Sequence, residues 1–257
     1  IEETLKANKR PVAVGIPGYV LPNDLEGKLY LQAPTKVSKV EVEPANSMTV
    51  SPVKPPNGWQ AFGIKSNGWG RSRLTITYAD GSKQTVQYYL TKPSSRVVAD
   101  LGNFLFTKQW YENEGDPFKR SPSVMGYDRE ADKILEQDHR VWIAGLGDER
   151  GGGSWVAAAM KQFVEPKAEE VAKFERFIDG VIWGGLQYKD GPNKYGVRKS
   201  MLYYAPDEFP AFSYEKERNW TTWASWKKDQ AMSVGRGYNY PHVVAAYWSM
   251  YRNARNT

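Results

Sequence analysis

The stretch Leu74–Leu90 most constrains how this chain can fold, because it carries the pattern of two paired β-strands. Every second residue on either side of an Asp80-Gly81 turn is apolar, and the positions between are threonine, glutamine or tyrosine. The alternating apolar residues are Leu74, Ile76, Tyr78, Val86, Tyr88 and Leu90. Asp-Gly between two such runs is typical of a tight hairpin turn. We therefore predict a β-hairpin here, with one face in a core.

Residues 10–92 continue this β pattern. Short strand-like runs alternate with turns rich in proline, glycine and asparagine at intervals that favour a β-sandwich. The runs are Val12–Val14, Lys28–Leu31, Val37–Val42 and Gln60–Lys65. We assign residues 1–95 to the C-terminal part of a β-sandwich domain. Its aromatic residues mostly occupy alternating core positions, so we expect it to support its neighbour and not to bind substrate.

Residues 96–139 are predicted to form a linker, with a short helix within Val97–Trp110 and an acidic loop after it. Asp128, Glu130 and Asp132 have the alternate spacing of a calcium loop. Lys133 and His139 stand where an EF-hand needs glycine and glutamate, so we predict no EF-hand there.

From residue 140 onward the apolar spacing becomes helical. Residues 140–257 are assigned to an α-domain of stacked helical hairpins. One helix follows Pro166, and Thr221 and Thr222 are expected to cap a short helix carrying two tryptophans. The last helix is predicted near Pro241, with Val244, Trp248 and Tyr251 on one apolar face.

Composition narrows the functional classes. The chain has no cysteine and two histidines, so we predict neither a thiolate nor a His-rich metal site, and no cofactor. The net charge is +6, but the basic residues are scattered, which argues against nucleic acid as a partner. No run approaches the roughly 18 apolar residues of a membrane span. Ten tryptophans and 16 tyrosines are an unusual load that suits stacking on sugar rings.

Several strings resemble a family of unknown function found in secreted bacterial and fungal proteins and grouped with the six-hairpin glycosidases. The strings are Val12–Gly18, Trp69–Leu74, Tyr78–Gly81, Gly102–Thr107, Ser121–Asp128, Arg140–Gln162, Tyr195–Ser200 and Arg236–Val243. The resemblance implies a β-sandwich followed by an α/α toroid whose inner helix ends form a sugar-binding cleft. It also implies a secreted or periplasmic protein with a carbohydrate substrate. This chain would hold the end of the sandwich and the first half of the toroid, completed by further segments or by a companion chain.

The stretch Arg140–Gln162 carries the first candidate site. Asp148 and Glu149 follow a Gly-Leu-Gly turn and precede Arg150 and three glycines, and Ser154 can cap the helix that follows. Glycoside hydrolysis needs a proton donor and a second carboxylate. Two adjacent side chains point in different directions, so we predict Glu149 as the catalytic acid and base. Asp148 would bind hydroxyls or orient Arg150. The alternative is a structural turn with salt-bridged carboxylates.

Other candidates would bind substrate. Trp155 and Arg150 belong to the same stretch, and Trp223, Trp226 and Asp229 form a possible stacking platform with a nearby acid. Tyr238, Asn239 and His242 are predicted on the cleft rim as hydroxyl ligands. The alternatives are tryptophans in a core, an asparagine that caps the last helix and a histidine with a purely structural role.

We therefore predict a carbohydrate-active protein, foremost a glycoside hydrolase with carboxylate acid–base chemistry. One alternative is a non-catalytic carbohydrate-binding or scaffold protein. Another is a phosphorylase or a polysaccharide lyase on the same architecture. A lyase would use Tyr238 or His242 as the base against a uronate, which the positive net charge permits.

Overall fold

The computed structural model describes residues 10–256, with the exception of the side chain at position 149. The chain divides into two compact units, Ile1–Val97 and Val98–Thr257. The first is built of strands, and the second combines helices with short strands and long turns.

The first unit contains two four-stranded sheets. One has the order β1-β3-β6-β5, with all neighbours antiparallel. Its strands are β1 (Val12–Ile16), β3 (Glu26–Gln32), β5 (Met48–Val53) and β6 (Gln60–Ser66). No strand was predicted at β5, which contains Pro52. Because β5 pairs with β6 alone, it is an edge strand, where proline is tolerated.

The second sheet has the order β2-β8-β7-β4, and only the β2–β8 pair is parallel. Its strands are β2 (Val20–Pro22), β4 (Val37–Glu43), β7 (Gly70–Tyr78) and β8 (Lys83–Thr91). The predicted hairpin is confirmed, with Leu74 opposite Val86. Its inward residues join Leu29, Leu31 and Ile64 of the other sheet in one hydrophobic core. The two sheets thus form a sandwich around that core.

Most of α1 (Ser94–Thr107) belongs to the second unit, and this helix confirms the predicted short helix. Two small hairpins follow, made of β9 (Trp110–Tyr111) with β10 (Ser123–Val124) and β11 (Tyr127–Asp128) with β12 (Lys133–Ile134). The segment predicted as a linker instead contributes to the core of this unit. Its core residues are Leu105, Phe106, Trp110, Tyr111, Phe118, Val124 and Met125.

The rest of the unit contains longer turns and further helices. The helices are α2 (Val141–Ala144), α3 (Glu149–Val164), α4 (Ala168–Phe177), α5 (Lys228–Met232) and α6 (Tyr240–Asn256). A π-helical turn, Ile178–Ile182, extends α4, and a 3-10 turn, Gly237–Asn239, precedes α6. Over the described residues these helices do not show an α/α toroid, so that part of the fold prediction stays a proposal.

Two local predictions are corrected. The glycines after Arg150 lie inside α3 and not in a turn, since the helix begins at Glu149, before Ser154. A Cβ at Gly151 would lie 2.3 Å from the Trp142 carbonyl oxygen, so glycine lets α3 approach α2 closely. The segment with Trp223 and Trp226 forms turns instead of the predicted helix. There the side-chain oxygen of Asn219 accepts a hydrogen bond from the Thr221 backbone N–H at 3.0 Å, a local bond that competes with helix formation.

Candidate functional site

A strained loop between α2 and α3 positions Asp148. Leu146 is fully buried and has φ 64°, a backbone conformation that non-glycine residues rarely adopt. Its carbonyl oxygen accepts a hydrogen bond from the Trp155 indole at 3.3 Å. The next residue, Gly147, is so close to the Lys199 carbonyl oxygen that a Cβ would lie 2.0 Å from it. These contacts fix the residue that follows, Asp148.

Asp148 stands at the N-terminus of α3, where its backbone carbonyl accepts a hydrogen bond from Gly152 at 2.5 Å. A carboxylate is favourable there because the first turn of a helix presents unpaired N–H groups and a partial positive charge. The side chain of Asp148 is 5% exposed and forms an ion pair with Arg236 at 2.8 Å. This pair ties the start of α3 to the segment before α6.

Three tryptophans lie beside this ion pair. The Trp142 ring is 5.5 Å from the ring of Trp223 and 5.0 Å from that of Trp226. Trp223 is 82% exposed, an unusual state for a large aromatic side chain, whereas the other two are half-buried. The ammonium group of Lys199 lies 5.4 Å from the centre of the Trp226 ring.

Together these side chains enclose a cavity of about 180 Å³. We call it the tryptophan–arginine cavity, and its lining residues are Trp142, Asp148, Arg150, Trp223, Trp226 and Arg236. Four of these, Asp148, Arg150, Trp223 and Trp226, were candidates from the sequence. Trp142 and Arg236 lie in the strings Arg140–Gln162 and Arg236–Val243 but were not predicted as site residues. Arg236 lies far from Asp148 in the sequence, so no local sequence pattern predicts their ion pair.

Tyr238 and Asn239 follow Arg236 closely in the sequence, do not line the cavity, and have different environments. The Arg236 guanidinium lies 5.5 Å from the centre of the Tyr238 ring, and Tyr238 is 73% exposed. Asn239 is buried, and its amide donates hydrogen bonds to the carbonyl oxygens of Arg198 at 2.8 Å and Lys199 at 3.3 Å. Asn239 thus holds the chain that carries Lys199.

The remaining candidates lie elsewhere in the unit. Trp155 is fully buried in the core, so the structure gives its ring no surface for a sugar. The half-buried His242 ring packs edge-on against Trp155 at 6.2 Å and is not part of the cavity lining. Asp229 lines a separate, larger cleft that also contains Trp223. The side chain of Glu149 lies outside the described residues, so its catalytic role stays a prediction.

Over residues 10–256, the side chain of Glu149 aside, no three His, Cys, Asp or Glu side chains cluster as a metal site would require. None of the helices described there has the length and apolar character to cross a membrane.

The fold and the cavity define a protein of two units, a β-sandwich and an α-rich unit, with an aromatic and cationic cavity in the latter. The chain belongs to the family of unknown function DUF5695, whose model matches residues 1–257. No curated protein matches it. The family prediction is confirmed to that extent, while the relation to six-hairpin glycosidases stays a prediction.

A solved structure named Polysaccharide Lyase BACCELL_00875 has a similar fold, with a TM-score of 0.63 and 18% sequence identity. The match covers 97% of this chain and 32% of that one. The chain therefore spans about a third of the length of that structure. At this identity the likeness concerns the fold.

Proposed function

We propose that this protein is carbohydrate-active and cleaves an acidic polysaccharide by elimination, as a polysaccharide lyase. The proposal depends on one observation: three tryptophans, Trp142, Trp223 and Trp226, line the same cavity as the arginines at positions 150 and 236. Indole rings offer flat apolar faces to a sugar ring, and guanidinium groups bind carboxylates through paired hydrogen bonds. The fold shared with a polysaccharide lyase supports the same class.

Charge favours an acidic sugar over a neutral one. Among the described side chains, the cavity is lined by two cations, Arg150 and Arg236, and by one carboxylate, Asp148. A third cation, Lys199, lies next to the lining residue Trp226. Arg236 is paired with Asp148, whereas Arg150 lies at the exposed side of the cavity. We therefore assign Arg150 as the principal ligand of a uronate carboxylate, with Arg236 behind it.

The chemical step removes the proton on the sugar carbon next to the carboxylate, C5. Neutralising the carboxylate with a cation stabilises the charge that develops when this proton leaves. The electron pair then forms a C4–C5 double bond as the C4–O bond breaks, and the leaving oxygen takes up a proton. No water is consumed, and the new chain end is unsaturated.

Tyr238 is assigned as the residue that takes the C5 proton and returns it to the leaving oxygen. Its ring is exposed and lies next to Arg236, which lines the cavity. His242, the other base considered from the sequence, is packed against Trp155 and the start of α3, where a Cβ at Gly152 would lie 3.1 Å from its ring. Tyr238 therefore has the better access to a bound sugar.

The lyase proposal replaces the glycoside hydrolase as the leading function. A hydrolase needs two carboxylates, and among the described side chains that line the cavity Asp148 is the one carboxylate and is paired with Arg236. A secreted or periplasmic location remains part of the proposal, since polysaccharides of this kind lie outside the cytoplasm. A companion chain or further segments that complete the fold likewise remain a proposal.

One assay separates the two reactions. Purified protein is incubated with uronate homopolymers and with alternating polymers of uronate and neutral sugar, and two products are followed. Elimination gives an ultraviolet-absorbing unsaturated end for every new reducing end, whereas hydrolysis gives reducing ends without that absorbance. Equal yields of both signals are expected. Reducing ends without the absorbance would show that the protein is a hydrolase. If neither signal appears with any polymer, the protein does not cleave these polymers, and the binding-protein alternative would be favoured.

A further inference from the structure

The tryptophan–arginine cavity is too small for a polymer. Its volume of about 180 Å³ is below the roughly 300–1,000 Å³ of typical small-molecule sites. A polysaccharide with one sugar in this cavity must continue onto a neighbouring surface. The polysaccharide is expected to continue past Trp223, because this residue lines both the cavity and a second cleft of about 1250 Å³.

The wall of this second cleft contains further aromatic rings. Tyr204 and Trp220 lie 5.3 Å apart and nearly parallel, with an interplanar angle of 7°. The hydroxyl groups of Thr221 and Thr222 lie on the same stretch of lining as Trp220 and Trp223. Because Trp220 is 8% exposed and stacks on Tyr204, these two rings form the base of the cleft, and Trp223 is the ring that offers an exposed face to a sugar. Neighbouring hydroxyl and carboxylate groups suit the hydroxyls of a sugar chain.

The charge of the second cleft differs from that of the cavity. Three carboxylates line it, on Asp207, Glu208 and Asp229, against the ammonium groups of Lys227 and Lys228. Lys228 forms an ion pair with Glu208, which also accepts a hydrogen bond from the Tyr203 hydroxyl at 3.3 Å. An anionic sugar placed here would meet net negative charge, while carboxylates are good acceptors for the hydroxyls of an uncharged sugar.

We propose that Trp223 joins the two cavities into one binding path, and that the path selects a mixed polysaccharide. An acidic sugar occupies the tryptophan–arginine cavity, and uncharged sugars next to it occupy the second cleft. This inference rests on the proposed function and adds the substrate class to it. It also makes Asp229 a specificity residue that disfavours an unbroken run of uronates.

Binding is measured by calorimetry at low ionic strength with three probes. They are a disaccharide and a hexasaccharide of alternating glucuronate and N-acetylglucosamine, and a hexamer of galacturonate. The alternating hexasaccharide is expected to bind at least tenfold more tightly than its disaccharide and more tightly than hexagalacturonate. Asp229→Asn should raise the affinity for hexagalacturonate about threefold and lower that for the alternating hexasaccharide, because a negative charge and a hydroxyl acceptor are lost together. Asp190→Asn, an exposed position outside the cleft, is the control and should change neither.

The outcomes separate this inference from the proposed function. Equal affinities for the two hexamers, unchanged by Asp229→Asn, would overturn the mixed-polymer inference and leave an acidic-sugar lyase possible. Length-dependent binding of the alternating hexasaccharide without cleavage would support the inference and overturn the lyase reaction. If none of the three probes binds, the proposed function fails and the inference falls with it.

Discussion

Trp223 is the residue on which the binding proposal depends most. It is 82% exposed and belongs to both the cavity and the second cleft. Nothing in the stability of the unit accounts for such exposure of an indole, since burying a large apolar side chain is favourable. A bound sugar that covers its face accounts for it.

Replacing Trp223 with alanine is therefore expected to weaken saccharide binding about tenfold or more, because the apolar contact with the sugar is lost. Trp69→Ala is a matched control, since Trp69 is 72% exposed but belongs to the β-sandwich unit. Calorimetric titration of both variants with one oligosaccharide makes the comparison. An equal loss in Trp69→Ala would mean that the sandwich takes part in binding, contrary to our expectation.

Arg236 and Arg150 line the same cavity, but we expect different consequences when each is replaced. Arg236→Gln leaves the nearly buried Asp148 carboxylate without its ion pair and should lower the free energy of unfolding by about 3 kcal/mol. Arg150→Gln alters an exposed side chain, so it should lower substrate affinity with little change in stability. Urea unfolding and calorimetric binding are measured for both. A stability loss of the same size in both variants would contradict the separate roles.

At the scale of the elements, the sequence predicts regular structure well and the site only in part. The β7–β8 hairpin, α1 and α6 follow from local periodicity and turn chemistry, which the structure retains. Gly151 and Gly152 of α3 were misread because the reason for them is tertiary: close contacts with α2 and with His242. Asp148 was found from its local composition, whereas Arg236 was not, because ion pairing across the chain leaves no periodic signal.

The two glycines Gly151 and Gly153 in α3 allow a direct test of the packing explanation. A Cβ at Gly151 would lie 2.3 Å from the Trp142 carbonyl oxygen, and one at Gly153 would meet nothing within 4 Å. Gly151→Ala should therefore lower the free energy of unfolding by about 2–3 kcal/mol. Gly153→Ala should raise it by about 0.5–1 kcal/mol, because alanine favours the helix. Thermal melts with chemical denaturation distinguish them, and a stable Gly151→Ala variant would contradict the account.

The start of α2 is anchored by Asp138, which gives the unit a pH-dependent contact. Burial acts to raise the pKa of Asp138, but hydrogen bonds from Arg140 and the charges of Arg140 and Arg218 outweigh it and hold that pKa below its ordinary value. Its carboxylate accepts bonds from the Arg140 guanidinium at 2.7 and 2.8 Å. The pKa of Asp138 is lower in the folded protein than in the unfolded chain, where it is about 3.9. Its contribution to the free energy of unfolding is therefore complete above about pH 3.9 and disappears as the pH falls through the folded-state pKa.

Asp138→Asn should thus lower the free energy of unfolding by about 3 kcal/mol at pH 7. The difference in this free energy between the variant and the wild type should become smaller as the pH falls below about 4. Denaturation curves at pH 7 and at pH 3 measure it. Asp207→Asn, at an exposed position of the same unit, should show no comparable loss. A pH-independent difference for Asp138→Asn would contradict the ion-pair explanation.

At the scale of the whole molecule, the exposed apolar face predicted for the last helix is present. Val244, Trp248 and Tyr251 of α6 are 62%, 55% and 51% exposed. Contiguous exposed apolar surface of this kind often marks an interaction site. The companion chain or further segments that we expect to complete the fold stay a prediction.

We propose that the tryptophan–arginine cavity, together with Tyr238 next to Arg236, carries out elimination on a uronate. The most direct test is the rate of formation of unsaturated chain ends by wild-type protein, Tyr238→Phe and Tyr251→Phe. The two tyrosines are matched, since each is exposed and has an arginine over its ring, Arg236 at 5.5 Å and Arg255 at 5.8 Å. Removing the hydroxyl that transfers the proton should slow Tyr238→Phe by at least about 100-fold, with substrate affinity and melting temperature retained. Tyr251→Phe should match the wild type, and a Tyr238→Phe variant that eliminates at the wild-type rate would contradict the claim.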